Sequence, residues 1–137
     1  MRDRLHFILK AIFILYIIGL CFCCFWNFRS SIDLSTELWG IPKDKIAHFC
    51  MFFPFPIIFY LAFPKLRNTP RRYLKFSILA LATGVATGLA IEIIQGWSGY
   101  RSCDMTDLLA DFCGLAAAVL ILQVFEAFVM NKRRAGK

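Results

Sequence analysis

Four long apolar runs divide this chain, at about residues 8–26, 46–63, 74–97 and 106–130. Between them lie short segments that hold most of the charged residues. At about 1.5 Å per helical residue, runs of this length cross a hydrocarbon core about 30 Å thick. A soluble domain of 137 residues has too little interior to hide so much apolar surface, and the mean hydropathy is +0.63. The pattern predicts an all-α membrane protein, one domain over residues 1–137, built as a bundle of four transmembrane helices.

The net charge of +7 raises the question of a nucleic-acid partner. The basic residues gather in the connections rather than on one face, which is where a membrane protein puts them, so no nucleic acid is expected. Their distribution sets the orientation. Twelve of the 16 fall in three segments: residues 2–10, residues 65–75 and the tail from Lys132. The other connections carry only Arg29, Lys43, Lys45 and Arg101. That asymmetry places both termini in the cytoplasm and the acid-rich connections outside. The six cysteines lie mostly inside the apolar runs, so they read as small buried side chains rather than a disulfide framework.

Three local features shape the bundle. Residues 27–45 suit an interfacial helical turn ended by Gly40 and Pro42. Pro54 and Pro56 interrupt the second span, and neighbouring helices can satisfy the backbone groups they free. In the third span Ala80, Gly84, Gly88 and Glu92 recur every four residues and share a face. In the fourth, Asp104, Asp107, Asp111, Gly114 and Ala118 follow three- and four-residue spacing and so also share a face. These two small-residue stripes are expected to pack together.

The polar residues form one constellation. The second span opens with Asp44, Lys45 and His48, and the third closes with Glu92 and Gln95. Arg101 lies in the following turn, and Asp104, Asp107 and Asp111 begin the fourth span. Depth separates them. Asp44, Asp104 and Asp107 sit near helix starts, where carboxylates cap free N–H groups. Glu92 and Asp111 lie one to two turns inside apolar runs. A lone ionised acid at mid-membrane costs on the order of 3 kcal/mol, so such groups face a cavity or a partner. Compensation is expected from Arg101 or Lys45, from a retained proton, or from a bridging divalent cation. His48 is a hydrogen-bond partner or proton carrier. Oxygen-rich acids suit Mg2+ or Ca2+, but no loop has a recognised ligand spacing, so no metal or cofactor is expected from sequence. No nucleotide loop, zinc helix or serine elbow is present.

Taken together, Asp44-Lys45-x-x-His48, Glu92-x-x-Gln95, Arg101 and Asp107-x-x-x-Asp111-x-x-Gly114 resemble the VanZ-like family of small bacterial membrane proteins. The likeness covers about residues 44–120 in order. The family usually has Asn where this chain has Asp111. Either the amide's role does not carry over, or the extra negative charge needs an extra proton or cation. The resemblance implies a multi-pass protein of the bacterial cytoplasmic membrane, and the name-giving member is associated with low-level resistance to teicoplanin.

The expected function is therefore to bind or modify a cell-envelope component at the outer cluster. Its partners would be membrane lipids, a lipid headgroup or a cell-wall precursor, with Arg101 and Lys45 receiving an anionic group. Alternatives are an enzyme on a lipid-linked substrate using His48, Glu92 and Asp107 in acid–base roles, or a small proton- or ion-coupled carrier using Glu92 and Asp111. A cluster that merely ties the helices together is the structural alternative. Four spans make a thin bundle, which leaves room for a homodimer.

Overall fold

A computed structural model describes residues 2–25, 37–38, 40–64, 70–98 and 104–135. Arg101, Cys103 and most of the first connection lie outside the described residues. The first helix, α1, runs Arg2–Phe25. The second span is two helices, α2 (Lys43–Phe52) and α3 (Pro54–Ala62). The third and fourth are single long helices, α4 (Pro70–Ser98) and α5 (Met105–Ala135). Four segments are long and apolar enough to cross a membrane: Arg4–Phe25, Lys43–Ala62, Tyr73–Ser98 and Met105–Lys132.

The part of the first connection described ahead of α2 is not helical. Strands β1 (Glu37–Leu38) and β2 (Ile41–Pro42) pair antiparallel, Glu37 opposite Pro42 and Leu38 opposite Ile41. Gly40 turns the chain at φ +77°, a conformation that breaks a helix and suits glycine. Gly40, expected to end a helical turn, closes this hairpin, and the residues expected to form that turn lie mostly outside the described residues.

The prolines act as expected. The chain breaks between α2 and α3 at Phe53, with Pro54 in the first turn of α3. Beside the break, the Tyr16 hydroxyl of α1 donates to the Met51 carbonyl. A neighbouring helix thus supplies a donor where the helix is interrupted.

Helix α5 is the hub, packing against α2, α3 and α4, while α1 lies mainly against α3. Two apolar clusters fill the interior. One joins Leu20, Phe52, Phe55, Ile91 and Leu115, and the other joins Phe59, Tyr60, Tyr73, Phe76 and Leu122. Phe13 bridges them edge-on to Phe55 and Phe59, with ring centroids 5.5 Å apart in both contacts. Large apolar side chains such as Leu15, Ile78 and Phe128 point outward, as lipid-facing positions should. Cys23, Cys50 and Cys113 are exposed on this outer surface; among the described cysteines only Cys24 is buried, and Cys21, one turn before it, is partly so. The expectation of buried thiols fails because lipid accepts a small apolar side chain as readily as the core does. None of the five described cysteines is in a disulfide.

The two small-residue stripes do not simply face each other. The stripe of α4 meets larger groups of α5: a Cβ on Gly84 would lie 2.5 Å from Leu115, and one on Gly88 would lie 2.8 Å from Asp111 Oδ2. Gly114 of α5 turns instead to the α2–α3 break, where a Cβ would lie 2.5 Å from the Phe49 carbonyl oxygen and 3.1 Å from the Phe53 nitrogen. Those are backbone atoms with nowhere to move. Gly114→Ala should therefore destabilise by about 1–3 kcal/mol through overpacking, despite alanine's better helix propensity. Gly84→Ala meets only the end of a leucine side chain and should cost less. Thermal unfolding of the two variants in detergent checks the order.

Candidate functional site

The polar side chains converge where α1 and α4 finish and α2 and α5 begin. His48 lies five residues into α2, Glu92 six residues before the end of α4, and Asp111 six residues into α5. At 1.5 Å per residue, each is about 7–9 Å from its helix end. Burial is nearly complete, with His48 2%, Glu92 1%, Asp107 3% and Asp111 1% exposed.

The start of α5 builds the rim. Asp104 Oδ1 accepts from the Thr106 N–H at 2.8 Å and from the Thr106 hydroxyl at 2.7 Å. This is a side-chain cap of the helix N-terminus. The Asp104 carbonyl accepts the Asp107 N–H at 3.0 Å. The Asp104 N–H donates to Glu92 Oε2 at 2.9 Å, so the acid on α4 helps to seat the first turn of α5.

Lys45 ties α2 to the same turn. Its ammonium donates to Asp104 Oδ2 at 2.7 Å and to Asp107 Oδ1, with Asp44 Oδ2 3.6 Å away. These contacts, the Lys45 bond first and the Thr106 bonds next, hold the Asp104 carboxyl well below the usual carboxylate range. Lys45 is therefore committed to acids of the cluster rather than turned outward to receive an anion.

Deeper in, His48 Nδ1 lies 2.9 Å from Asp111 Oδ1, and Nε2 lies 3.6 Å from Asp107 Oδ2. The ring is thus held between two acids of α5. Asp111 Oδ2 and Glu92 Oε1 are both buried without a hydrogen-bond partner among the described residues. Two orphaned carboxylate oxygens at this depth form an acceptor-rich centre that a cation or a hydrogen-bond donor would satisfy.

Most of the expected residues are here: Asp44 at the edge, then Lys45, His48, Glu92, Asp104, Asp107 and Asp111. Gln95 is not. Its Nε2 donates 2.8 Å to the Cys24 carbonyl, tying α4 to the last turn of α1. The expected pairing also differs. Lys45 meets Asp104 and Asp107, while Asp111 is met by histidine and Glu92 by a backbone N–H. Arg101 is outside the described residues. Sequence reasoning missed two features. Gly88 makes room for the Asp111 carboxylate. The Tyr60 hydroxyl donates to Glu126, a second, half-buried polar contact toward the far end of α5. An acid inside an apolar run was the available signal for Glu126.

Comparison with known proteins places this geometry in a family context. The family model described as VanZ/LLP1 matches residues 13–126, a stretch that includes every described residue of the cluster. A protein of the fission yeast Schizosaccharomyces pombe, described only as uncharacterized, is 30% identical over 131 residues. That alignment covers 95% of this chain and 74% of the yeast protein. No solved structure matches.

Two outcomes test the electrostatics. Lys45→Met leaves the buried Asp107 without its ammonium and should cost about 3–5 kcal/mol; adding Asp107→Asn should recover part of that loss. Asp104 has a lowered folded pKa, so its support is fully present above the ordinary Asp value of about 3.9 and is lost as pH falls through the folded value. Its contact with Lys45 should therefore hold from pH 8 to pH 5. Thermal unfolding of Asp104→Asn beside the unmodified chain checks this, with a difference in melting temperature that stays constant over that window.

Proposed function

This chain belongs to the VanZ/LLP1 family, and on that footing we propose that it binds or modifies the polar part of a membrane-borne envelope component. Both termini lie in the cytoplasm, following the excess of Lys and Arg in residues 2–10, 65–75 and the tail. The cluster then opens toward the outer headgroups, which in a bacterium are those of the cytoplasmic membrane. A lipid headgroup suits the site better than a peptidoglycan precursor, because the relative with 30% identity belongs to a yeast. Any teicoplanin response follows from altered envelope composition.

The observation that carries this reading is the pair of orphaned oxygens on Glu92 and Asp111, each on a residue only 1% exposed. A cluster serving only to hold helices together gains nothing from leaving them unpaired. Among the described residues Lys45 is already engaged, so a group that brings positive charge or hydrogen-bond donors suits that centre.

A second reading, an enzyme on a lipid-linked substrate, is favoured by the His48–Asp111 contact at 2.9 Å. A histidine oriented by a buried carboxylate is the arrangement of a general base, and Glu92 would supply the second proton-handling group.

The test is a deletion strain complemented with the unmodified gene or with Glu92→Gln. Mass spectrometry of envelope lipids and teicoplanin susceptibility are the readouts. The expected result is a changed headgroup profile on deletion, restored by the unmodified gene but not by Glu92→Gln at equal membrane abundance. No change in either readout on deletion would count against the proposal.

A further inference from the structure

We propose that His48, Glu92 and Asp107 hold a divalent first-row transition-metal ion, and that Asp111 orients the histidine ligand. The ion rests on the reading above and deepens it, because it supplies the positive charge that the centre calls for and leaves the headgroup only an oxygen to offer. The three residues come from α2, α4 and α5 and are all buried, and one donor atom of each lies within 4.8 Å of the others. Bonds of about 2.0–2.2 Å set three ligands of one ion about 3.0–3.8 Å from each other, so donors that stand at the 4.8 Å limit would close by about 1–2 Å on binding.

Proximity of acids is not the whole of the case. Glu92 Oε1 has no hydrogen-bond partner among the described residues although the residue is 1% exposed, and Glu92 Oε2 is occupied by the Asp104 N–H. Asp111 Oδ1 lies 2.9 Å from His48 Nδ1. With the Nδ1 proton donated there, Nε2 is the nitrogen left to coordinate, and it lies 3.6 Å from Asp107 Oδ2. A histidine whose second nitrogen is fixed by a carboxylate is the usual support of a metal-bound imidazole. Asp44, Asp104 and Asp107 all contact the same ammonium, that of Lys45, and a dication would offset negative charge that it leaves unbalanced. One nitrogen with two carboxylates suits Mn2+, Fe2+ or Zn2+ rather than the all-oxygen preference of Ca2+ or Mg2+. Three protein ligands leave positions open to solvent or to a headgroup oxygen. No linear motif announces the site because each ligand comes from a different helix.

The full chain, purified in detergent and stripped with a chelator, is titrated with Mn2+. Manganese is the probe because the chain's six cysteines would bind Zn2+ adventitiously. The expected result is one Mn2+ per chain, with imidazole nitrogen coupling in the pulsed electron paramagnetic resonance spectrum. Asp111→Leu should weaken binding by about 10–100-fold, whereas Asp111→Asn, which keeps an oxygen acceptor for Nδ1–H, should restore most of it. Glu92→Gln should lose more than Asp111→Leu, and Glu126→Gln, remote from the site, should lose nothing. Absence of stoichiometric Mn2+, or bound Mn2+ without nitrogen coupling, would overturn the proposal. The coupling is read on the unmodified chain, so it decides the matter even where a variant fails to fold. A bound ion with no envelope phenotype on deletion would remove the functional reading and leave the ion; a phenotype without retained Mn2+ would do the reverse.

Discussion

A carboxyl group cannot sit unanswered in hydrocarbon, and the contact of His48 with Asp111 is where this protein answers it most directly. The two side chains belong to α2 and α5 and meet at 2.9 Å, both almost wholly buried. Bringing them together requires α5 to approach the α2–α3 break closely, which Gly114 permits by leaving space for the Phe49 carbonyl. It also requires α4 to leave room on the other side, which Gly88 does beside Asp111 Oδ2. The kink, the two glycines and the polar centre are one arrangement. The apolar packing of Phe52, Phe55 and Leu115 lies beneath it.

The rim and the deep centre divide the work. Lys45, Asp104 and Thr106 form a partly exposed lattice that caps α5 and ties it to α2. Such contacts stabilise helix starts whatever the protein does. His48, Glu92, Asp107 and Asp111 lie lower, where each charge must be balanced by a specific neighbour. Glu92 joins the two levels, one oxygen seating the first turn of α5 and the other turned to no described partner. The asymmetry within that one carboxylate separates a site from a fastening.

Much of this was legible in the sequence because a membrane imposes harsh rules. Length and hydropathy gave four spans, and Pro54 marked the break in the second. Depth within an apolar run picked out Glu92 and Asp111, since burial of an acid there is costly enough to need a cause. Pairing was not legible. Whether Lys45 meets Asp107 or Glu92 depends on helix rotation, which residue identities alone leave open. Gln95 looked like a member of the cluster because it lies one turn from Glu92, but its partner is a backbone carbonyl of α1, and any residue supplies one. The hairpin at residues 37–42 was hidden by its shortness, because two-residue strands carry no periodicity. The cysteines misled because lipid and core are alike to a thiol.

The most direct test is a double-mutant cycle between His48 and Asp111, with unfolding free energy measured in detergent for His48→Ala, Asp111→Leu and both together. If the two groups compensate each other inside the bundle, the second loss should be smaller once the first is made, with a coupling of about 1–3 kcal/mol. Losses that add to within about 0.5 kcal/mol would mean that the two residues do not meet, and the polar centre described here would not exist.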